Sequence, residues 1–260
     1  MSLVLYEEIG PIAKITFNNE SQLNAMTPEM GDELSARIRQ LQTRSDLRCV
    51  LFTGKGKAFS SGGNLDFIIS HTQKDIPTNK KEMIEFYSKF LILKNLPMPT
   101  IAIINGAAIG AGLCIAMACD LRVASHGAKL GVNFAKIGLS SGMGCLYHLV
   151  QLVGIGHAAE LLFTGKIITA EEAHTIGLVN HVCSLDGLEA QSMNLAQSIA
   201  ENSPLAIKII KQGLLRAPHS TLEELFDYES EGQAKSFASQ DLLEGISALK
   251  EKRPPNFKGK

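Results

Sequence analysis

Two glycine-containing loops carry the arrangement of residues best suited to chemistry. Residues 59–65 read Phe-Ser-Ser-Gly-Gly-Asn-Leu and follow a predicted strand, and residues 105–112 read Asn-Gly-Ala-Ala-Ile-Gly-Ala-Gly and follow another. Small residues where a strand gives way to a helix leave backbone N–H groups accessible to an anion. If both loops follow strands of one sheet, two such groups could meet at one oxygen, which is the geometry of an oxyanion hole. Tight turns with close backbone packing are the alternative explanation of the same spacing.

The spacing of the other glycines and of the cysteines does not match nucleotide-binding, disulfide or metal-binding motifs. Residues 54–58 lack the pattern of a P-loop, and the Gly-x-Gly-x-x-Ala match at 154–159 follows a helical pattern instead of a strand. The five cysteines include no Cys-x-x-Cys pair, so neither a disulfide framework nor a metal site is expected. We predict that the chain binds no metal and that it functions in a reducing compartment.

The charge composition of the chain limits which kinds of molecule it is expected to bind. The 260 residues carry 25 basic and 26 acidic side chains, a net charge of −1, which argues against nucleic acid or a membrane surface as partner. The first ten residues lack the basic and apolar regions of a signal peptide, and the apolar stretch 101–118 is interrupted by Asn105 and three glycines. We therefore expect a cytoplasmic protein.

The elements that must position the loops form an α/β pattern. A hairpin is predicted around Gly10-Pro11, and a helix begins at Pro28 with Thr27 as its cap. Buried strands are expected at 49–52, 100–104 and 120–124, and helices at 79–96, 144–152, 157–163, 170–176 and beyond 188, with a polar, mobile segment at 70–78. We expect residues 1–200 to form the core with the ligand site, and 201–260 to form a helical region for oligomerisation and for covering the ligand.

Six motifs in order along the chain resemble the crotonase (enoyl-CoA hydratase/isomerase) superfamily. They occupy residues 23–26, 57–65, 104–120, 162–165, 170–179 and 251–253. The resemblance implies an α/β crotonase-like (ClpP/crotonase) fold, a spiral of β-β-α repeats with a helical C-terminal trimerisation region. It also implies a homotrimer or dimer of trimers, and a substrate that is an acyl-CoA thioester. Coenzyme A is then part of the substrate, and no tightly bound cofactor is expected.

The resemblance also assigns residues to the site. The two oxyanion N–H positions carry over to Gly63 and Ala111, both small enough for the backbone to reach a thioester oxygen. The implied contacts with CoA come from seven residues: Leu23, Ala25, Ser61, Gly62, Leu65, Gly110 and Lys258.

The chain departs from the family at the two positions where a hydratase has glutamates. Here these positions are Cys114 and Phe134, which cannot directly replace a carboxylate that activates water and a carboxylic acid that protonates carbon. Cys114 is either a thiolate base or an inert buried cysteine. Ser141 either contacts substrate or, with Ser140, caps the following helix. Asp66, Glu85 and Tyr87 lie in or beside the segment that normally lines the acyl pocket, and each could supply an acid or a base.

The sequence favours a hydratase/isomerase-like lyase or isomerase of fatty acid metabolism, which stabilises an enolate of an acyl-CoA without the usual glutamates. An acyl-CoA decarboxylase or a thioesterase-like enzyme is one alternative, because loss of CO2 or attack by water needs fewer protein carboxylates. A catalytically silent acyl-CoA-binding or scaffold protein is the other.

Overall fold

Two β-sheets organise the computed structural model, which describes residues 2–260. The strands are β1 (Val4–Ile9), β2 (Ile12–Phe17), β3 (Cys49–Gly54), β4 (Ala58–Ser60), β5 (Thr100–Ile104), β6 (Ala107–Ile109), β7 (Leu121–Ser125), β8 (Lys129–Gly131), β9 (Ile167–Thr169) and β10 (His181–Cys183). The larger sheet has the order β1-β2-β3-β5-β7-β10, and the smaller has the order β4-β6-β8-β9.

Helices connect and flank the strands. They are α1 (Pro28–Gln42), α2 (Leu65–Ser70), α3 (Ile76–Leu91), α4 (Ala111–Ala118), α5 (Cys145–Thr164), α6 (Ala170–Thr175), α7 (Leu185–Ala200), α8 (Pro204–Arg216), α9 (Leu222–Phe237) and α10 (Gln240–Glu251). Short 3-10 turns lie at Glu20–Gln22, His71–Gln73, Ile92–Asn95, Phe134–Ile137 and Ala217–His219. α7 ends at Ala200, and the division of the chain between residues 200 and 201 stays a prediction.

A β-β-α unit repeats along the chain and accounts for the two sheets. In each of β3-β4-α2, β5-β6-α4 and β7-β8-α5, the first strand enters the larger sheet and the second enters the smaller one. β3, β5 and β7 pair in parallel, as do β4, β6 and β8. Because β4 and β6 are neighbours, the loops that follow them lie side by side. The predicted β-β-α repeat is confirmed, and it is what brings the two glycine loops together.

The core lies on both faces of the larger sheet. β3 and β5 are buried throughout, as expected for parallel strands covered on two sides. Alternate residues such as Leu51 and Ile101 face α7, where Leu188 and Ala196 cover them. The other face packs against α1, α3, α4 and α5 in a larger apolar cluster. The sheet is therefore a rigid support from which the loops after β4 and β6 project.

The C-terminal helices are tied to this core by a buried lysine. Lys211 on α8 donates to the carboxylate of Asp120 and to the carbonyl of Met98, both at 2.8 Å. Asp120 also accepts from the backbone N–H and the hydroxyl of Thr100, at the start of β5. This network fixes α8 near the amino ends of the parallel strands.

Two local features differ from what the sequence indicated. The segment 70–78 contains the first turn of α3, because the Asp75 carboxylate caps the helix by accepting from Thr78 N, and it also contains a 3-10 turn. Ser140 and Ser141 do not cap the helix that follows them. α5 instead begins after Gly144, which has φ +67° and no side-chain cap, a backbone conformation that favours glycine.

α5 is the one helix in the described part of the chain that has the length and apolar composition of a membrane span. Its backbone leaves the helical conformation at Gly154 (φ 74°, ψ 165°), which divides it into residues 145–153 and 155–164. Each part is shorter than the ~20 residues that a spanning helix needs. Cys145, Leu149 and Leu161 bury their side chains against the core.

Candidate active site

The loops after β4 and β6 approach each other so closely that only glycine fits at the contact. Gly62 has φ +100°, and a Cβ there would lie 2.7 Å from the carbonyl oxygen of Ile109 and 3.5 Å from the nitrogen of Ala111. A Cβ on Gly112 would overlap the backbone oxygen of Ser60. Backbone of one loop therefore packs directly on backbone of the other, which requires the absence of side chains.

Each loop presents a backbone donor without a partner. Among residues 2–260, neither Gly63 N–H nor Ala111 N–H donates a hydrogen bond to a protein acceptor. Ala111 is the first residue of α4, and the first N–H groups of a helix have no partner within the helix. Gly63 lies between two bonds that hold its loop, Met26 N–H to Gly62 O at 2.7 Å and Asn64 N–H to Met26 O at 3.0 Å.

The surroundings strengthen these donors. All eight residues of α4 are buried, and its amino end with its partial positive charge lies at Ala111. A negative charge that develops beside both N–H groups would be stabilised in a region from which water is largely excluded. The arrangement can therefore polarise a carbonyl oxygen, and the oxyanion hole at Gly63 and Ala111 stays a prediction.

Two buried polar side chains, for which the sequence pattern indicates no role, brace the first loop. The amide of Asn24, which has φ +55°, donates to Lys55 O at 3.0 Å and to Ala58 O at 2.8 Å. Ser60 Oγ donates to Asn24 O at 2.8 Å and accepts from Gly62 N–H at 3.2 Å. Asn24 lies in the motif at 23–26, but its left-handed backbone, the sign of a structural role, is visible only in three dimensions.

The residues expected to contact CoA mostly lie together at the edge of this loop. Ser61 N–H donates to Leu23 O at 2.9 Å, so the two predicted lips are adjacent. Leu23 and Leu65 expose much of their side chains, as a binding surface for pantetheine requires. Ala25 is buried, which leaves its backbone as the part near a ligand.

Lys258 is the exception. It lines a cavity of about 400 Å³ with Arg44, Arg48, Lys208 and Lys260, beside the segments that precede β3 and β5. Gly63 and Ala111 follow the second strands, β4 and β6, beyond the carboxyl ends of β3 and β5. The structure therefore does not bring Lys258 to the donors of its own chain.

The two positions that the family resemblance assigns to glutamates line the same site without a carboxylate. Cys114 lies one turn beyond Ala111 on α4, and its Sγ donates to Gly142 O at 3.7 Å. The ring of Phe134 would lie 3.7 Å from a Cβ on Gly110. Burial raises the pKa of Cys114 well above the ordinary value, so the group is a neutral thiol. The inert reading of Cys114 is favoured over a thiolate base.

The other candidate acids and bases lie in different places, some at the surface and some beside Gly142. Asp66 and Glu85 are exposed, and Asn64 caps α2 by accepting from Phe67 N–H at 3.0 Å. Ser141 adjoins Gly142, and the hydroxyl of Tyr87 lies beside Gly142. Among the described residues, no group of three His, Cys, Asp or Glu side chains could hold a metal.

Comparisons with known proteins agree with this geometry. A sequence profile of the enoyl-CoA hydratase/isomerase family matches residues 7–260. A short-chain-enoyl-CoA hydratase of Clostridium acetobutylicum is 34% identical over 96% of this chain and 95% of its own length. A 1,2-epoxyphenylacetyl-CoA isomerase of Escherichia coli is 30% identical over the whole of both chains.

A solved structure shows the same architecture. An enoyl-CoA hydratase from Bacillus anthracis superposes with a TM-score of 0.94 at 31% identity, over 99% of this chain and all of the other. The predicted crotonase fold is confirmed, and the relatives support a hydratase/isomerase-like enzyme that acts on an acyl-CoA. The chain belongs to the enoyl-CoA hydratase/isomerase family.

Proposed function

We propose that this enzyme binds an acyl-CoA with its thioester oxygen between Gly63 N–H and Ala111 N–H, and stabilises the enolate that forms there. The observation that carries the proposal is the pair of unpartnered donors on two loops in backbone contact. Loss of one such donor typically costs about 3–4 kcal/mol of transition-state stabilisation. Ser61, Gly62 and Leu65, with Leu23 and Ala25 opposite, would hold the pantetheine and adenine.

Water addition by two carboxylates is not the reaction that this site favours. Cys114 is a neutral buried thiol and Phe134 is apolar, so neither activates water. The side chains around the donors, which include Ile68 near Gly63, suit an apolar acyl group. Reactions that form or use an enolate and need fewer protein carboxylates fit this site better than hydration does. Loss of CO2 from an acyl-CoA is the second candidate, favoured by this lack of a base.

We also propose that the chain assembles as a homotrimer or a dimer of trimers. The C-terminal helices leave large apolar side chains exposed, among them Leu214, Phe226, Phe237, Leu243 and Leu249. Exposed apolar patches of this kind mark interaction surfaces. In such an assembly, Lys258 would approach the CoA phosphates of a neighbouring copy, because it lies away from the donors of its own chain. Sedimentation analysis of the full chain gives the mass; a monomer at micromolar concentration contradicts the assembly.

A panel of thioesters tests the proposed reaction. Calorimetry would measure binding of butyryl-CoA, and turnover would be followed with crotonyl-CoA, longer 2-enoyl-CoAs and methylmalonyl-CoA. We expect binding of butyryl-CoA and slow hydration of crotonyl-CoA. Binding without any turnover favours a silent binding protein, and absence of binding contradicts the proposal. Rapid hydration of crotonyl-CoA would show that the two missing glutamates are not needed here.

A further inference from the structure

One tyrosine hydroxyl differs from the others in the chain. The hydroxyl of Tyr6 bonds Glu8 at 2.5 Å, that of Tyr147 pairs with His219 Nε2 at 3.2 Å, and that of Tyr228 donates to Ile209 O at 2.7 Å. Within residues 2–260, the hydroxyl of the fourth, Tyr87, has no hydrogen-bonding partner. Tyr87 is half-buried, and its hydroxyl is not among the fully buried polar atoms that lack a partner, so a molecule from solvent can reach it. The free hydroxyl is therefore available to a ligand.

The hydroxyl of Tyr87 lies on the side of the site where Cys114 stands and no carboxylate is present. A Cβ on Gly142 would lie 2.5 Å from Tyr87 Oη, and the carbonyl of the same Gly142 accepts from Cys114 Sγ. Cys114 is one helical turn from Ala111. Tyr87 Oη thus lies beside the residue that occupies the first glutamate position, on the same side of α4 as the donor.

Aromatic packing fixes the helix that carries Tyr87. Its neighbour Phe86 stacks on Phe67 of α2 with 4.8 Å between ring centroids, and contacts Phe90 at 5.0 Å. α2 begins just after Gly63, and its Ile68 lies 3.3 Å from where a Cβ on Gly63 would be. α3 is therefore held against the same loop that supplies one oxyanion donor, which keeps the hydroxyl at a defined place in the site.

The protonation state of Tyr87 restricts what it can do. Burial raises its pKa above the ordinary value, so at neutral pH the hydroxyl is a proton donor and not a base. Hydration needs a base for water, and isomerisation needs a base for a C–H bond. Decarboxylation needs neither, because the electrons of the breaking C–C bond form the enolate. Only a proton for the α-carbon must then be supplied.

We propose that Tyr87 donates this proton, and that the substrate is an acyl-CoA with a carboxylate on its α-carbon. The inference rests on the proposed binding of the thioester by Gly63 and Ala111. The bond from the α-carbon to the carboxylate breaks, CO2 leaves, and the electron pair becomes the enolate. The O–H bond of Tyr87 then breaks as a C–H bond forms at the α-carbon. Water returns a proton to the tyrosinate.

The variant Tyr87→Phe tests this role, because it removes a hydroxyl that has no protein partner and so leaves packing unchanged. Malonyl-CoA and methylmalonyl-CoA are the probes, and Tyr6→Phe is the matched control, since its hydroxyl bonds Glu8 on β1. We expect the wild-type enzyme and Tyr6→Phe to release CO2 from at least one probe. Tyr87→Phe should form product at least ten-fold more slowly, with unchanged affinity for butyryl-CoA.

A stereochemical measurement separates proton donation from a structural effect. In D2O, brief turnover of methylmalonyl-CoA by the wild-type enzyme should place deuterium on one face of propionyl-CoA, whereas Tyr87→Phe should place it on both. Wild-type rate and stereochemistry in Tyr87→Phe would overturn the role of Tyr87. Binding of butyryl-CoA without CO2 release from either probe would overturn the inference but not the proposed function. Absence of butyryl-CoA binding would defeat both.

Discussion

One side of the candidate active site is formed by backbone groups, and the other is formed by side chains. We call the loops 62–63 and 110–112 the donor cradle, and Tyr87, Cys114 and Phe134 the proton-transfer wall. The cradle is backbone, held by glycine contacts and by the repeat that makes β4 and β6 neighbours. The wall is made of side chains, and two of its three members, Cys114 and Phe134, stand where the family resemblance implies glutamates. In the proposed mechanism, the fold therefore provides charge stabilisation, whereas individual side chains decide the route of the proton.

The largest expected effect comes from removing one donor of the cradle. Ala111→Pro deletes the N–H at the first position of α4, where proline is tolerated. We expect turnover to fall by about 10²–10³-fold with the fold intact. Leu185→Pro is the matched control, since Leu185 is the exposed first residue of α7. Steady-state kinetics and circular dichroism measure both; equal activity in the two variants would remove Ala111 from the oxyanion hole.

A second test changes the wall and leaves the cradle alone. If missing carboxylates are what prevents hydration, Cys114→Glu combined with Phe134→Glu should raise the rate of crotonyl-CoA hydration by at least about 10²-fold, the usual size of acid–base catalysis. The pair Cys114→Gln with Phe134→Gln matches it in size without the charge. The comparison is made by following loss of the enoyl-CoA. A rate in the Glu pair no higher than in the Gln pair would show that the wall lacks more than carboxylates.

A third test separates stability from chemistry. Lys211→Met removes one partner of the buried pair with Asp120, whose side chain is 30% exposed. Partial exposure of Asp120 and its bonds to Thr100 reduce the cost below that of a fully buried pair, so we expect a loss of about 2–3 kcal/mol in the free energy of unfolding. Lys208→Met on the same helix is exposed and should cost under ~0.5 kcal/mol. Urea unfolding measures both, and turnover per folded molecule should stay unchanged.

The smallest expected effect is a pH dependence of the free energy of unfolding that arises from His148. Burial lowers the pKa of His148 on α5 to about 4, with Lys94 and Arg122 adding to the shift. A histidine whose pKa is lowered on folding stabilises the protein above its unfolded pKa of about 6.5, and this stability is lost as pH falls toward 4. Between pH 7 and 5 the loss is about 2 kcal/mol.

His148→Gln is the control for this pH dependence. Denaturant unfolding at pH 7 and pH 5 should show a smaller difference in the variant than in the wild-type protein. The residues of the cradle carry no titratable side chain, so binding of a neutral-chain acyl-CoA should change little across the same range. An equal pH dependence of stability in both proteins would rule out His148 as its source.

Features set by local backbone chemistry could be predicted from the sequence. Glycine spacing indicated both loops, and Thr27 caps the helix that begins at Pro28 as expected. Of the two roles left open for Ser141, the cap shared with Ser140 does not form, because the left-handed Gly144 precedes α5 instead. The contact of Tyr87 with Gly142 joins residues 55 positions apart, and no sequence pattern reports an unpartnered hydroxyl. The position of Lys258 depends on how the C-terminal helices dock, which composition does not determine.

The most direct measurement for the central claim is the infrared carbonyl stretch of a bound thioester. Butyryl-CoA labelled with ¹³C at the thioester carbon would be compared free, bound to the wild-type enzyme, and bound to Ala111→Pro. Two donors should weaken the C=O bond and shift its stretch to lower frequency in the wild-type complex, with a smaller shift in the variant. A bound thioester with the frequency of the free one would contradict an oxyanion hole at Gly63 and Ala111.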